Sequence, residues 1–215
     1  MKILIHIFKI NFKMETIINN QGSLFLIIRQ WLDQEYANRL YDNLDKNALW
    51  INMQYGQNKK LYKMNREISL LGDGTHAYYP YEKIPFMVSH WDQVLNSEIR
   101  KIKENICQDV NIQSMLNANL DFNSCVVNRY SPHNFISYHA DMEAQGDLHQ
   151  VVSVSLGSSR TFHIKKNNSF EKPIQVILNH GDLLLMAGQA QVDYQHAIHS
   201  EDTNGKRISL TYRYI

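Results

Sequence analysis

Residues 151–188, VVSVSLGSSRTFHIKKNNSFEKPIQVILNHGDLLLMAG, set the fold class of this chain. They contain short runs rich in β-branched residues, separated by turn signals such as Asn167-Asn168, and this pattern is typical of strands. The runs SCVVNRY and FISYHAD precede this stretch, and ISLTYRYI follows it. The pattern predicts a sandwich or open barrel of about eight strands.

The front half of the chain predicts helices placed before the strands. Residues 23–28, SLFLII, predict a short buried strand, and Asp33 predicts the cap of a helix that runs to about Trp50. A second helix is predicted over about residues 85–107, from an apolar stripe at helical spacing. Residues 51–84 have little periodicity and predict a long irregular or hairpin region, a kind that is often functional. The predicted fold class is α+β with a jelly-roll core.

Composition and charge restrict the class of protein. The chain has 215 residues, with 22 Lys and Arg against 21 Asp and Glu, so its net charge is +1. This excludes a histone-like, strongly basic binder but leaves room for a local basic groove, because summed charge hides patches. The two cysteines, Cys107 and Cys125, have no metal-site spacing and form no disulfide framework. A reducing, intracellular location is the expectation.

The first residues resemble a signal peptide only superficially. His6 and Lys9 interrupt the apolar run MKILIHIFKINFK, and no small-residue cleavage site follows it. We therefore expect residues 1–13 to be a disordered or strand-like extension and residues 14–215 to form a single domain. This run is too short and too polar to span a bilayer, and no other stretch has 18 apolar residues, so no membrane partner is expected.

His139-Ala140-Asp141 is the motif that points to chemistry. On a strand, residues at i and i+2 share a face with α-carbons roughly 6–7 Å apart, so an imidazole and a carboxylate can converge on one ion. His196 is the best third ligand, and His199 competes with it. Two histidines and one carboxylate form the facial triad of non-haem iron(II) oxygenases. Taken alone, the motif is weak, because it occurs by chance in many proteins and is far more often a surface His beside an Asp than a metal site.

The last strand predicts an anion site. Arg207, Ser209, Thr211 and Arg213 lie at even offsets and therefore share one face. Inward-facing arginines cost free energy unless an anion pairs with them. Arg207 and Arg213 would either hold the two ends of one small dicarboxylate, or one arginine would hold the dicarboxylate while the other holds Asp141. The alternative is a solvated edge strand.

Asn128 and Tyr130, in the run VVNRY, are also at i and i+2. They can supply an amide and a phenol to the same cavity. Together with the arginines, they would line one side of a pocket beside the metal motif.

The ordered set NRY…HAD…SVSLG…HGDLLLMAG…YQHAIH…RISLTYR resembles the AlkB family of Fe(II)- and 2-oxoglutarate-dependent dioxygenases, over about residues 120–215. The resemblance implies a double-stranded β-helix core over residues 120–215, and Fe(II), 2-oxoglutarate and O₂ as cofactors. It implies iron on His139, Asp141 and His196, and favours His196 over His199. It also implies that 2-oxoglutarate is bound by Asn128, Tyr130, Arg207 and Arg213, with Thr211 as an additional contact.

The front half resembles the family more faintly. The stretch NREISLLGDGTHAYYPY is similar to the nucleotide-recognition lid of the DNA-repair branch, which implies helices and a lid over residues 14–119. Arg66 stands where that branch has an arginine, although Asn65 replaces the proline before it. Tyr78 and Tyr79 begin the aromatic run that would stack on a base. Glu143, after the iron motif, would contact an exocyclic amine.

The function that the resemblance implies is oxidative demethylation of N-alkylated bases, such as 1-methyladenine and 3-methylcytosine, in DNA or RNA. The products would be the repaired base, formaldehyde, succinate and CO₂. We expect a monomer in the nucleus or cytoplasm whose partner is alkylated DNA or RNA. Two alternatives stay open: a 2-oxoglutarate-dependent hydroxylase of a protein or small molecule, and a non-catalytic jelly-roll binding module.

Overall fold

The computed structural model describes residues 13–20, 22–52, 54–57, 60–72, 89–90, 122–141 and 150–213. The front half contains β1 (Lys13–Asn20), β2 (Ser23–Arg29), α1 (Gln34–Asn47), β3 (Gln54–Gln57), β4 (Lys60–Lys63), β5 (Glu67–Gly72) and β6 (Ser89–His90). The rest contains β7 (Ser124–Tyr130), β8 (Ile136–His139), β9 (Val151–Gly157), β10 (Arg160–Lys166), β11 (Ile174–Leu178), β12 (Leu183–Gly188), α2 (Ala190–Asp193), β13 (Tyr194–Ile198) and β14 (Arg207–Arg213).

Strands β7 to β14 divide equally between two sheets. The larger sheet has the order β1-β2-β12-β9-β14-β7-β5-β6, and the smaller has the order β11-β10-β13-β8. One apolar cluster takes residues from both sheets, including Phe25 and Leu184 from the larger and Phe162 and Ile198 from the smaller. The two sheets therefore pack face to face, as in a jelly roll. This confirms the predicted fold class.

Helix α1 covers the outer face of the larger sheet. Asp33 caps it, as predicted, because its Oδ1 accepts the backbone N–H of Tyr36 at 2.8 Å. Leu40 and Leu44 are buried in a cluster with Leu156, Ile208 and Leu210 of the sheet, among others. The helix ends at Asn47 rather than near Trp50, because Ala48 already has an extended backbone.

Strand β14 has two chemically different faces. Ile208, Leu210 and Tyr212 join the cluster under α1. Arg207, Ser209, Thr211 and Arg213 therefore face the space between the sheets. All seven residues of β14 are buried between β7 and β9, so the alternative of a solvated edge strand is wrong.

The front half departs from the sequence prediction at several places. Residues 51–84 contain the hairpin β3–β4, but Glu67–Gly72 is a regular strand that pairs antiparallel with β7. Ile68 is fully buried there, and this burial fixes the strand in the sheet. The predicted helix over 85–107 lies outside the described residues except at Ser89–His90, which form a strand parallel to β5, so the helix is wrong at those two positions.

Strands β1 and β13 have no counterpart in the sequence prediction. Strand β1 begins at Lys13, at the edge of the predicted extension, and pairs antiparallel with β2. Strand β13 lies between β10 and β8 in the smaller sheet. In the part of the chain that the structure describes, no helix is both long and apolar enough to cross a membrane.

Candidate active site

Strands β8 and β13 bring the three predicted metal ligands together. His139 is the last residue of β8 and lies directly opposite His196 in the antiparallel register with β13. Asp141 follows β8 by two residues, and its carboxylate lies 4.0 Å from His139 Nε2 and 3.6 Å from His196 Nε2. One potential ligand atom from each residue lies within 4.8 Å of the others. Strand pairing thus joins residues that are 57 positions apart.

The three side chains have the protonation states that a metal site requires. Burial lowers the pKa of His196 to about 3 and also lowers the pKa of His139. Burial alone would raise the pKa of Asp141, but the nearby Arg213 guanidinium and the two imidazoles lower it to about 2. At neutral pH the site therefore consists of two neutral imidazoles and one carboxylate, the donor set of a ferrous facial triad.

Neighbouring groups fix the orientation of the ligands. The Nδ1 atom of His139 lies 2.9 Å from the Ser137 carbonyl oxygen. A carbonyl only accepts, so Nδ1 donates and the Nε2 lone pair is left for a metal. The ring of Phe162 stacks on His196 at 5.2 Å between centroids. The Gln191 amide oxygen accepts the Asp141 backbone N–H at 2.9 Å, and Gln191 is itself buried.

Arg213 forms an ion pair with Asp141. Its Nη2 donates to Asp141 Oδ1 at 2.9 Å, and both side chains are buried. Of the two alternatives from the sequence, the geometry favours the one in which one arginine holds Asp141 and the other holds an acid. Arg213 thus neutralises the carboxylate and holds it in place toward the imidazoles.

Arg207 has the features of an anion site. It lies opposite Tyr130 in the β14–β7 register, and its Cζ is 5.6 Å from the centre of the Tyr130 ring. Its Nη2 donates to Ser155 Oγ at 2.9 Å, whereas its Nε has no hydrogen-bond partner among the described residues. Burial lowers the pKa of Arg207 to about 10. A buried cation with an unused N–H fits the carboxylate of a co-substrate such as 2-oxoglutarate.

Asn128 and Thr211 line the same face of the larger sheet. Asn128 pairs with Ser209 in the register, and Thr211 lies on β14 between the two arginines. Both are buried, with 8 % exposure each. Their contact with a co-substrate stays a prediction.

Arg66 lies beside the co-substrate residues. It precedes β5, and its Nε donates to Asn128 Oδ1 at 2.7 Å. Since a guanidinium only donates, this contact turns the Asn128 amide nitrogen away from Arg66, where it can donate to an anion. The positive charge of Arg66 also lowers the pKa of His139, after the larger effect of burial. Arg66 therefore lies close to both groups of site residues.

Three other predicted substrate contacts, Tyr78, Tyr79 and Glu143, lie outside the described residues. His199, the competitor for the third ligand position, instead stacks on His163 at 3.9 Å between ring centroids. The structure brings His196, and not His199, to His139 and Asp141.

Sequence reasoning missed Phe162, Gln191 and Arg160. Arg160 begins β10, is 1 % exposed, and lies with its Cζ 6.0 Å from the centre of the Tyr130 ring. Arg160, Phe162 and Ile164 alternate along β10 and are all buried, which is a period-two signal readable in RTFHIKK. No sequence signal identifies Gln191, which lies in the short helix α2.

Similarity to known proteins agrees with this geometry. Residues 25–213 match the 2OG-Fe(II) oxygenase superfamily. The chain is 29 % identical over 147 residues to human "Alpha-ketoglutarate-dependent dioxygenase alkB homolog 3", covering 63 % of this chain and 47 % of that protein. It is 31 % identical over 119 residues to "DNA oxidative demethylase ALKBH2" of Arabidopsis thaliana, covering 44 % of this chain and 38 % of that protein.

Relatives and solved structures extend the comparison. The Escherichia coli "Alpha-ketoglutarate-dependent dioxygenase AlkB" is 29 % identical over 94 residues, covering 42 % of each chain. The solved structure described as "The structure of OsALKBH1" superposes with a TM-score of 0.63 at 17 % identity, covering 88 % of this chain and 97 % of that one. At this identity the superposition shows the shared fold alone.

The chain spans about half the length of the human relative that it matches, 47 %. The superfamily uses Fe(II), 2-oxoglutarate and O₂, and the grouping of His139, Asp141 and His196 fits iron. The match over residues 25–213, together with the jelly roll and this ligand set, shows that the chain belongs to the 2OG-Fe(II) oxygenase superfamily.

Proposed function

We propose that this chain is an oxidative demethylase that repairs N-alkylated bases in DNA or RNA, with 1-methyladenine and 3-methylcytosine as its substrates. The observation that carries the proposal is the grouping of His139, Asp141 and His196, together with a buried Arg207 on the polar face of β14 that has an unused N–H. The relatives support the choice of substrate, because one of them is named a DNA oxidative demethylase. The products are formaldehyde, succinate, CO₂ and the repaired base.

Different residues of the chain have different roles in this reaction. Bound Fe(II), with 2-oxoglutarate and O₂, supplies the oxidising power that hydroxylates the N-methyl group, whose product then releases formaldehyde. His139, Asp141 and His196 hold the metal, and Arg213 holds Asp141 in position. Arg207, Tyr130 and Asn128 bind the co-substrate on the adjacent face of the larger sheet, with Thr211 as a further contact.

Substrate recognition is assigned to the front half of the chain and to Glu143, which follows the iron motif. The methyl group lies on the Watson–Crick edge, so the base leaves the stack or comes from a single strand. Tyr78 or Tyr79 would stack on the base, and stacking of this kind contributes about 1–3 kcal/mol per base. Glu143 would accept a hydrogen bond from the exocyclic amine, as carboxylates do from cytosine N4. Arg66 would contact the nucleotide from its position beside Asn128.

The test is an assay of succinate and formaldehyde release on a panel of methylated DNA and RNA oligomers. The proposal expects both products in equal amounts from at least one oligomer carrying 1-methyladenine or 3-methylcytosine. Loss of this activity in Tyr78→Ala and Tyr79→Ala, with unchanged 2-oxoglutarate binding, would support the assignment of the lid. Gel filtration tests the proposed monomer, and imaging of the tagged chain tests a nuclear or cytoplasmic location.

The assay also separates the competing functions. Turnover of 2-oxoglutarate without formaldehyde from any oligomer would favour a hydroxylase of a protein or small molecule. A purified chain that binds no Fe(II) during anaerobic reconstitution would favour a non-catalytic binding module.

A further inference from the structure

Arg160 is a buried cation that has no role in the proposed reaction. Its Nη2 donates to the carbonyl oxygen of Asn134 at 2.7 Å and to that of His199 at 2.5 Å. Asn134 lies just before β8, and His199 lies just after β13. Arg160 therefore ties together the two segments that flank the metal-binding strands, from the side of the pocket where Tyr130 lies.

Arg160 and Arg207 lie against the same phenol ring. Their Cζ atoms are 6.0 Å and 5.6 Å from the centre of the Tyr130 ring. Arg160 and Arg207 are only 1 % and 3 % exposed, so water screens their charges poorly. Arg160 Nε and Nη1, like Arg207 Nε, have no hydrogen-bond partner among the described residues. This end of the pocket thus holds two cations with unused N–H groups.

Glu201 is the acid that moderates this charge. Its Oε2 lies 3.5 Å from Arg160 Nε, and within the described ranges it is the only carboxylate at ion-pair distance from either guanidinium. The Glu201 side chain is 28 % exposed, and its carboxylate also accepts the Thr161 backbone N–H. Arg160, Arg207 and Glu201 together therefore carry a surplus of one positive charge beside the Tyr130 ring.

The charges of Arg160 and Glu201 act on Arg207, the residue that is proposed to bind the co-substrate carboxylate. After burial, which is the largest cause, Arg160 lowers the pKa of Arg207 and Glu201 raises it. Each of the two groups therefore changes the potential at the Arg207 guanidinium, and they do so in opposite directions. A dianionic ligand gains more from a positive potential at this end than a ligand whose only carboxylate lies at the metal.

We propose that Arg160 is a specificity-determining residue, and that with Glu201 it sets the potential by which the pocket selects a keto diacid over a keto monoacid. The inference rests on the co-substrate part of the proposed function and not on its nucleic-acid part. Arg160 acts on the distal carboxylate through the potential at Tyr130 and Arg207, and Glu201 limits the strength of that potential.

The test measures binding of two ligands to the Mn(II)-loaded chain by calorimetry, without O₂. 2-Oxoglutarate carries the distal carboxylate, and 2-oxopentanoate has the same chain length without it. Arg160→Met is expected to weaken 2-oxoglutarate about tenfold and 2-oxopentanoate less than about twofold. Glu201→Gln is expected to act in the opposite direction and to tighten 2-oxoglutarate about two- to threefold.

A merely structural role predicts a different pattern. If Arg160→Met and Glu201→Gln weaken both ligands by the same factor, the pair only supports the loops and the proposal is overturned. Arg160→Lys keeps the charge but cannot reproduce both carbonyl contacts, so it should keep the wild-type ratio of the two affinities. If Arg160→Met does not fold, Glu201→Gln decides between the same two outcomes, because only the proposal expects it to tighten 2-oxoglutarate more than 2-oxopentanoate.

The exposed pair Arg39–Glu35 on α1 supplies matched controls. Arg39→Met and Glu35→Gln make the same chemical changes on the outer face of the larger sheet and should leave both affinities unchanged. A wild-type chain that binds 2-oxoglutarate with this selectivity but demethylates no oligomer would contradict the proposed substrate and leave this inference standing. A wild-type chain with equal affinity for the two ligands would overturn it.

Discussion

Arg213 and Asp141 are 72 residues apart in the chain, yet the Arg213 guanidinium donates to Asp141 Oδ1 at 2.9 Å inside the protein. This contact joins the end of the last strand to the carboxylate of the metal site. The two C-terminal arginines therefore have different roles, because within the described part of the chain no carboxylate forms an ion pair with Arg207.

The first prediction concerns this pair. Arg213→Met should destabilise the metal-free protein by about 3–5 kcal/mol, because it leaves a buried carboxylate without its cation. Urea unfolding of the metal-free chain measures the change. Adding Asp141→Asn to Arg213→Met removes the buried charge and should restore a large part of the stability. A loss below about 1 kcal/mol in the single variant would contradict a strong interaction.

The second prediction concerns Arg66. Because its Nε fixes the Asn128 amide, Arg66→Met should weaken 2-oxoglutarate binding by about three- to tenfold, even without nucleic acid. Calorimetry on the Mn(II)-loaded chain measures this effect. Lys63→Met, which removes an exposed cation three positions earlier, is the control and should change nothing. Wild-type 2-oxoglutarate affinity in Arg66→Met would show that Arg66 does not orient the co-substrate residue.

The third prediction is the pH dependence of the metal-free protein. The folded-state pKa of His196 is about 3, below its ordinary value of 6.5, so between these pH values the unfolded chain binds a proton that the folded chain does not. The contribution to stability is therefore complete above pH 6.5 and is lost as pH falls toward 3. Thermal unfolding should show this decline, and His196→Asn should make it shallower. An unchanged slope in the variant would contradict a buried, neutral imidazole.

The fourth prediction concerns the turn after β9. Gly157 has φ +83°, and a Cβ placed there would lie 2.4 Å from the Lys206 carbonyl oxygen. Gly157→Ala should therefore destabilise the chain by about 1–3 kcal/mol or more, and weaken 2-oxoglutarate binding because Gly157 pairs with Arg207. Gly205→Ala, whose Cβ would meet only the Ser158 side chain, should cost far less. Equal losses in both variants would contradict this account of the turn.

The back half of the chain was largely predictable because its signals are local. All seven runs that were predicted as strands after residue 120 are strands, since β-branched residues occur within them and turn residues separate them. Strand β13, YQHAI, was missed because the polar Gln195 and His196 lie within so short a run that it lacks a strand signature. The alternation in RISLTYR correctly separated the polar face of β14 from its apolar face.

The front half and the site contacts depend on distant partners. Glu67–Gly72 is held as a strand by its pairing with β7, and no local sequence pattern predicts that pairing. The contacts of Asn128 with Arg66, and of Asp141 with Gln191 and Arg213, join segments far apart in the chain. Spacing indicated the metal ligands, because the strand period brings His139 and Asp141 close together, but it could not indicate the groups that orient them.

The most direct test of the proposed iron site is an anaerobic titration of the metal-free chain with Fe(II) in the presence of 2-oxoglutarate. The charge-transfer absorption of iron chelated by the keto acid reports whether both ligands share one site. We predict that this absorption saturates at one Fe(II) per chain and is lost in His139→Ala and His196→Ala. No absorption in the wild-type chain, or full absorption in both variants, would contradict an iron site built from these histidines.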